Sequence, residues 1–100
     1  METKFDYNGD CLTITLEGRL DGISAPKLDA ECKIIGEEVK KIIIEMKDLR
    51  FVASAGLRVI LKLQKTMNKQ GSMEIHNVKE EIMDVFELTG FAGILTFVKD

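Results

Sequence analysis

The sequence predicts an α/β domain, a mixed sheet whose strands are interleaved with helices. Three observations lead there. Asn8-Gly9 lies between two strand-like runs, the strongest short-range signal for a hairpin. The apolar run Lys41–Met46 gives way within a few residues to a segment with helical periodicity, Gly56–Gln70. Two further helix-then-strand alternations flank that pair, giving the order β-β-α-β-α-β-α-β.

Each element has its own local reason. After the turn at Tyr7-Asn8-Gly9-Asp10, Leu12, Ile14 and Leu16 alternate with Thr13, Thr15 and Glu17, so one face of that strand is buried. The Leu20-Asp21-Gly22-Ile23 loop follows, and Ser24 is placed to cap a helix with Pro26 in its first turn. Ala25, Leu28, Cys32 and Ile35 form its apolar stripe, and Gly36 ends it. Ile42-Ile43-Ile44 is continuous, which predicts a central strand covered on both faces. In the next helix, Leu57, Val59, Ile60, Leu61, Leu63 and Met67 make a broad apolar surface, opposed by Arg58, Lys62, Lys65 and Lys69. Gly71 closes it, and Ser72–His76 reads as a short strand. Glu80 and Glu81 open a third helix whose Ile82, Val85, Phe86 and Leu88 are expected to face the core. Gly90 stops it, and Leu95–Val98 reads as the last strand.

One hundred residues, 45% apolar and 31% charged, suit a single domain spanning 1–100. A net charge of −3 argues against a nucleic-acid surface. No apolar run approaches the ~20 residues of a membrane span, and the start lacks a signal peptide's apolar core, so the expected location is cytoplasmic, with no membrane partner. Cys11 and Cys32 lack any CxxC or Cys/His spacing and read as reduced, buried thiols; with His76 the only histidine, no metal site is expected.

The most informative stretch is Phe51-Val52-Ala53-Ser54-Ala55-Gly56-Leu57, where a lone serine marks the change from strand to helix. Ser54 is expected to be the N-cap, beside free backbone N–H groups and the positive end of the helix dipole, a place that suits an anion. Gly56 costs roughly 0.5–1 kcal/mol relative to alanine in a helix. Its presence implies a backbone or a partner in close approach.

Ala53-Ser54-Ala55-Gly56-Leu57-Arg58-Val59-Ile60-Leu61 resembles the signature of the STAS domain of bacterial anti-sigma factor antagonists. Glu17-Gly18-Arg19-Leu20-Asp21 with Ser24-Ala25-Pro26-Lys27-Leu28, and Val85-Phe86-Glu87-Leu88-Thr89-Gly90-Phe91 with Ile94-Leu95, resemble two further segments of that family in the same order. The resemblance covers nearly the whole chain. It implies a STAS-type mixed sheet, and a binding module that is not an enzyme and needs no cofactor. By the same resemblance Ser54 is the phosphoacceptor, and Asp21, Ser24, Ala53, Ser54, Ala55, Gly56, Leu57 and Arg58 form the partner-binding segment. The implied partners are an anti-sigma factor serine kinase, which itself binds the ATP or ADP, and a separate serine phosphatase. The chain is expected to act as a monomer. It departs from the family at Ala53, where an Asp or Ser is usual, and it stops at Asp100, where many members carry a fourth helix. Ala53 favours the alternative, a non-phosphorylated STAS scaffold subunit of a lipid-transport or stress-signalling complex.

Two other chemistries fit poorly. A nucleophile elbow needs Gly-x-Ser-x-Gly, and Val52 occupies the first glycine's position. No phosphate-cradling Walker sequence is present. Arg58, four residues after Ser54, is spaced to pair with a phosphate there, and the resemblance implies that the loop with Asp21 lies at the same edge of the fold.

Overall fold

The hairpin expected around Asn8-Gly9 forms, with Gly9-Asp10 as its loop and Asn8 as the last residue of the strand. In the computed structural model, which describes residues 1–99, β1 (Glu2–Asn8) and β2 (Cys11–Leu20) make an antiparallel hairpin in which Asn8 faces Cys11 across a two-residue loop. Gly9 takes a φ of +63° and Asp10 does not, the pattern of a type II′ turn. Strands β3 (Lys41–Val52), β4 (Ser72–His76) and β5 (Phe97–Val98) then add in sequence order, each parallel to the one before, to give the sheet β1-β2-β3-β4-β5. The crossovers are α1 (Ala25–Cys32), α2 (Ser54–Gln70) and α3 (Glu80–Leu88), the last followed by a 3-10 turn at Phe91–Gly93. α1 stops three residues short of Gly36, and the final strand is shorter than the expected Leu95–Val98.

The sheet buries one face. Leu12, Ile14 and Leu16 on β2, Ile42, Ile44 and Met46 on β3, and Met73 and Ile75 on β4 are at most 2% exposed. Leu28 of α1, Ile60 and Met67 of α2, and Ile82 and Phe86 of α3 join them in one core. Full burial of each such side chain stabilises by about 1.5–3 kcal/mol. Phe86 meets Phe97 of β5 edge to face at 5.3 Å, which fastens α3 to the short last strand.

Among the described residues the opposite face carries no helix, and this corrects the reading of Ile42-Ile43-Ile44. Ile43 is only half-buried, beside Thr13, Thr15, Glu45, Glu74 and His76. Polar pairs dress this face. Glu74 meets His76 at 2.8 Å and Lys41 at 3.5 Å, and Asn77 donates to Glu45 at 3.0 Å. The His76 hydrogen bond and, after it, the nearby Lys41 charge hold the Glu74 carboxyl below its ordinary pKa. Leu88 is a second correction: expected in the core, it is 88% exposed at the end of α3, two residues past the last buried one, Phe86.

The start of α2 also differs from expectation. Ser54 is the helix's first residue, and Ala53, with φ −103° and ψ 172°, occupies the N-cap. Ala53 has no side-chain acceptor, so the first-turn N–H groups lack a side-chain cap, and no acidic residue sits in that turn. Gly56 faces inward, where an added Cβ would lie 2.5 Å from Cγ of Leu20. The close neighbour that requires a glycine is thus the end of β2, within the fold. At the other end, Gly71 is extended (φ 178°), and a Cβ on it would run into the Lys40 backbone carbonyl. Gly71 N–H bonds to Met67 and Ser72 N–H to the same Lys40 carbonyl at 3.0 Å, so helix end and strand start are fixed together.

Three stability outcomes follow. Gly71→Ala forces the α2–β4 connection off Lys40, and it should cost about 1–3 kcal/mol in chemical denaturation. Ala53→Asp supplies the missing cap in a backbone conformation already suited to it, and should raise stability by about 0.5–2 kcal/mol. Ser54→Ala, at an exposed position that does not cap, should stay within about 0.5 kcal/mol of wild type.

Candidate functional site

The carboxyl ends of β2 and β3 lie side by side, with Leu20 paired to Val52. Ala53 N–H donates to the Leu20 carbonyl at 2.8 Å, so the two chain exits are tied where one becomes a loop and the other becomes α2. Ser54 and the Asp21 loop are therefore held at one edge of the sheet. The expectation that Asp21 and Ser54 share this edge is met.

The loop is stiffened by its own side chains. Asp21 Oδ1 accepts from the N–H groups of Ile23 (3.0 Å) and Ser24 (3.1 Å). Ser24 Oγ accepts from Asp21 N–H at 2.9 Å and donates to the Arg19 carbonyl at 2.8 Å. Ser24 stands at the α1 N-cap position in a helical backbone conformation and makes no cap bond, since its hydroxyl is engaged on the loop side. The N–H groups of Ser24 and then Ile23 hold the Asp21 carboxyl below its ordinary pKa. Stability drawn from that turn is present above the normal carboxylate range and is lost as pH falls through the lowered pKa.

The predicted partner-binding residues divide by exposure. Ser54 and Arg58 are exposed, and Asp21, Ser24, Ala53 and Ala55 are half-buried at the rim. Gly56 and Leu57 are buried beneath them and shape the site from below. Arg58 makes no ion pair among the described residues, which leaves its guanidinium available one helical turn from the Ser54 hydroxyl.

Sequence reasoning did not single out three neighbours. Ile23 is 90% exposed at the tip of the stiffened loop. Phe51 is 37% exposed, and the Arg19 guanidinium stacks over its ring at 4.1 Å while its Nε lies 3.8 Å from Asp21 Oδ2. A wide depression of about 820 Å³ opens beside this edge, bordered by Arg19, Asp21, Ile23, Ser24, Arg50 and Lys79; Ser54 lies outside it. Ile23 carries no periodicity signal, because it sits in a loop.

Cys32 lies at the floor of a smaller groove between α1 and α2, where burial, with the nearby Asp29 charge as the next cause, pushes its thiol up to about 12. It is an inert packing group at neutral pH. Among the described residues, no cluster of His, Cys, Asp and Glu could hold a metal ion, and no helix is long and apolar enough to cross a membrane.

The chain is similar along nearly its whole length to several known proteins. BtrV of Bordetella bronchiseptica, which carries the name of an anti-sigma factor antagonist, is 28% identical over 94% of this chain and 83% of its own. The anti-sigma-B factor antagonist of Bacillus subtilis is 29% identical over 88% of this chain and 82% of its own. The Bacillus anti-sigma factor antagonist SpoIIAA has the same fold in both solved states. Its unphosphorylated form superposes with a TM-score of 0.80 at 18% identity, covering 97% of this chain and 88% of that one. Its phosphorylated form gives 0.76 at 20% identity, covering 97% and 91%. The STAS domain family model matches residues 3–100, and with the five-stranded sheet and its helices on one face this places the chain in the STAS domain family.

Proposed function

We propose that this chain is an anti-sigma factor antagonist that works by partner switching. Its unphosphorylated form binds a cognate anti-sigma factor that is also a serine kinase, and so frees the sigma factor. Phosphorylation of Ser54 ends the complex, and a serine phosphatase resets it. The observation that carries this reading is the position of Ser54, exposed on the first residue of α2 and beside the stiffened Asp21 loop with its apolar tip. The names of the relatives and the two solved states of SpoIIAA support it.

The chemistry of the switch is electrostatic. A phosphate adds about −1.5 to −2 charges at neutral pH. Within the free chain that charge meets uncapped N–H groups, the positive end of the α2 dipole and the unpaired Arg58, so it is accommodated locally. Within an interface it must lose water, which is costly unless the partner offers matching cations. The modification therefore leaves the fold in place and acts on the complex. The nucleotide belongs to the kinase; this chain contributes an acceptor hydroxyl. Ser24 is a poor competitor, because its hydroxyl is held by Arg19 and Asp21.

Two measurements decide the matter. Incubation with the cognate kinase and ATP, followed by mass spectrometry, should place phosphate on Ser54; label on Ser24 or Ser72 with none on Ser54 would end the reading. In calorimetry with the purified kinase, Ser54→Asp should weaken binding at least about tenfold, equivalent to ~1.4 kcal/mol. Ser54→Ala should bind and fail to release when ATP is added. Equal affinity of wild type and Ser54→Asp would favour the scaffold role instead.

A further inference from the structure

The two edges of the sheet are unequal. β5 offers two residues, whereas β1 offers seven in unbroken register, with no proline or bulge. A long regular edge is a template for another strand. No backbone hydrogen bond outside the hairpin reaches residues 2–8 among the described residues.

The tight turn settles which groups are free. In a hairpin closed by two residues, the flanking pair, here Asn8 and Cys11, is hydrogen-bonded, and bonded and non-bonded pairs alternate from there. The even-numbered residues of β1 thus direct their backbone groups to β2. The N–H and C=O groups of Thr3, Phe5 and Tyr7 point to the open edge.

We propose that two copies of this chain pair antiparallel along β1, about a two-fold axis at Phe5, and merge their sheets into one of ten strands. In that register Phe5 faces Phe5 of the second copy in a hydrogen-bonded pair. Lys4 then lies opposite Asp6 of the second copy, and Asp6 opposite its Lys4. Both ion pairs fall at non-bonded positions, where Cα atoms approach to about 4.5 Å and side chains meet most closely. A slide of two residues one way sets Lys4 against Lys4 and Glu2 against Asp6. The same slide the other way sets Asp6 against Asp6. Like charges directly opposite each other are unfavourable, so the charges select the register that pairs the whole strand. Charged residues usually blunt an edge, but these are complementary to their own two-fold image. On the core side, half-buried Phe5 and Tyr7, 49% exposed, gain apolar cover.

The pairing stands apart from the reading of Ser54. β1 is separated from β3, which leads into α2, by the full width of β2, so Ser54 stays exposed in the pair. It replaces the monomer expected from the resemblance.

Sedimentation equilibrium of the full chain over a concentration series tests it, with circular dichroism to confirm that each variant folds. Wild type should show a reversible monomer–dimer equilibrium. Lys4→Asp alone and Asp6→Lys alone should each raise the dissociation constant at least about tenfold, since both charge pairs become repulsive. An equimolar mixture of these two variants should form heterodimers, and the double exchange Lys4→Asp/Asp6→Lys should restore pairing. A wild type that stays monomeric up to its solubility limit would overturn the proposal. So would single variants that pair as wild type does, or a mixture that stays monomeric.

Discussion

Leu12, Ile14 and Leu16 on β2 and Ile42, Ile44 and Met46 on β3 are almost wholly shielded from water, and the placement of every helix answers the need to cover them. A sheet with one apolar face has a single way to remove it from solvent, which is to lay its crossover helices on that side. The chain does this three times. Each crossover leaves from the carboxyl end of a strand, so the loops and helix starts collect on one edge. The candidate site therefore arises from topology as much as from particular side chains.

That edge combines two mechanical regimes. The Asp21 loop is braced by hydrogen bonds from Ile23, Ser24 and Asp21 itself, while the start of α2 is anchored from below by Leu57 and by Gly56 against Leu20. With them stand an exposed hydroxyl, a guanidinium without an ion pair among the described residues, and the exposed Ile23. A surface so prepared loses little conformational freedom when a partner docks. It also makes a charge on Ser54 a local event, since nothing in the core leans on that hydroxyl.

Much of this could be read from residues alone. The hairpin turn, the order of elements and the burial of Leu12, Ile14 and Leu16 were all legible, because turn chemistry and period-two alternation are local signals. The three isoleucines misled for a physical reason. A continuous apolar run is the pattern of a strand covered twice, yet Ile43 tolerates a half-exposed place among threonines and the Glu74–His76 pair. Leu88 failed at a helix end, where the residue two past buried Phe86 turns outward. Ser54 was one residue from its expected role, because helix boundaries are read from sequence only to within a residue or two and here the helix starts one residue early, with Ala53 at the cap. Ile23 and the Arg19–Phe51 stack had no signal to offer, since loop exposure and long-range stacking depend on the assembled fold.

The sheet order, in which every spatial neighbour is also the next strand in sequence, bears on how the chain folds. No strand has to be threaded between two already in place. The β1–β2 hairpin closes over a two-residue loop, and each later strand docks on the free side of the one just made, bringing its own helix with it. The hairpin is the one local step; each parallel pairing spans a whole crossover helix and carries its own loop-closure cost, so the later strands are the slower ones to add. As the chain leaves the ribosome, each β-α unit can settle on a template already built.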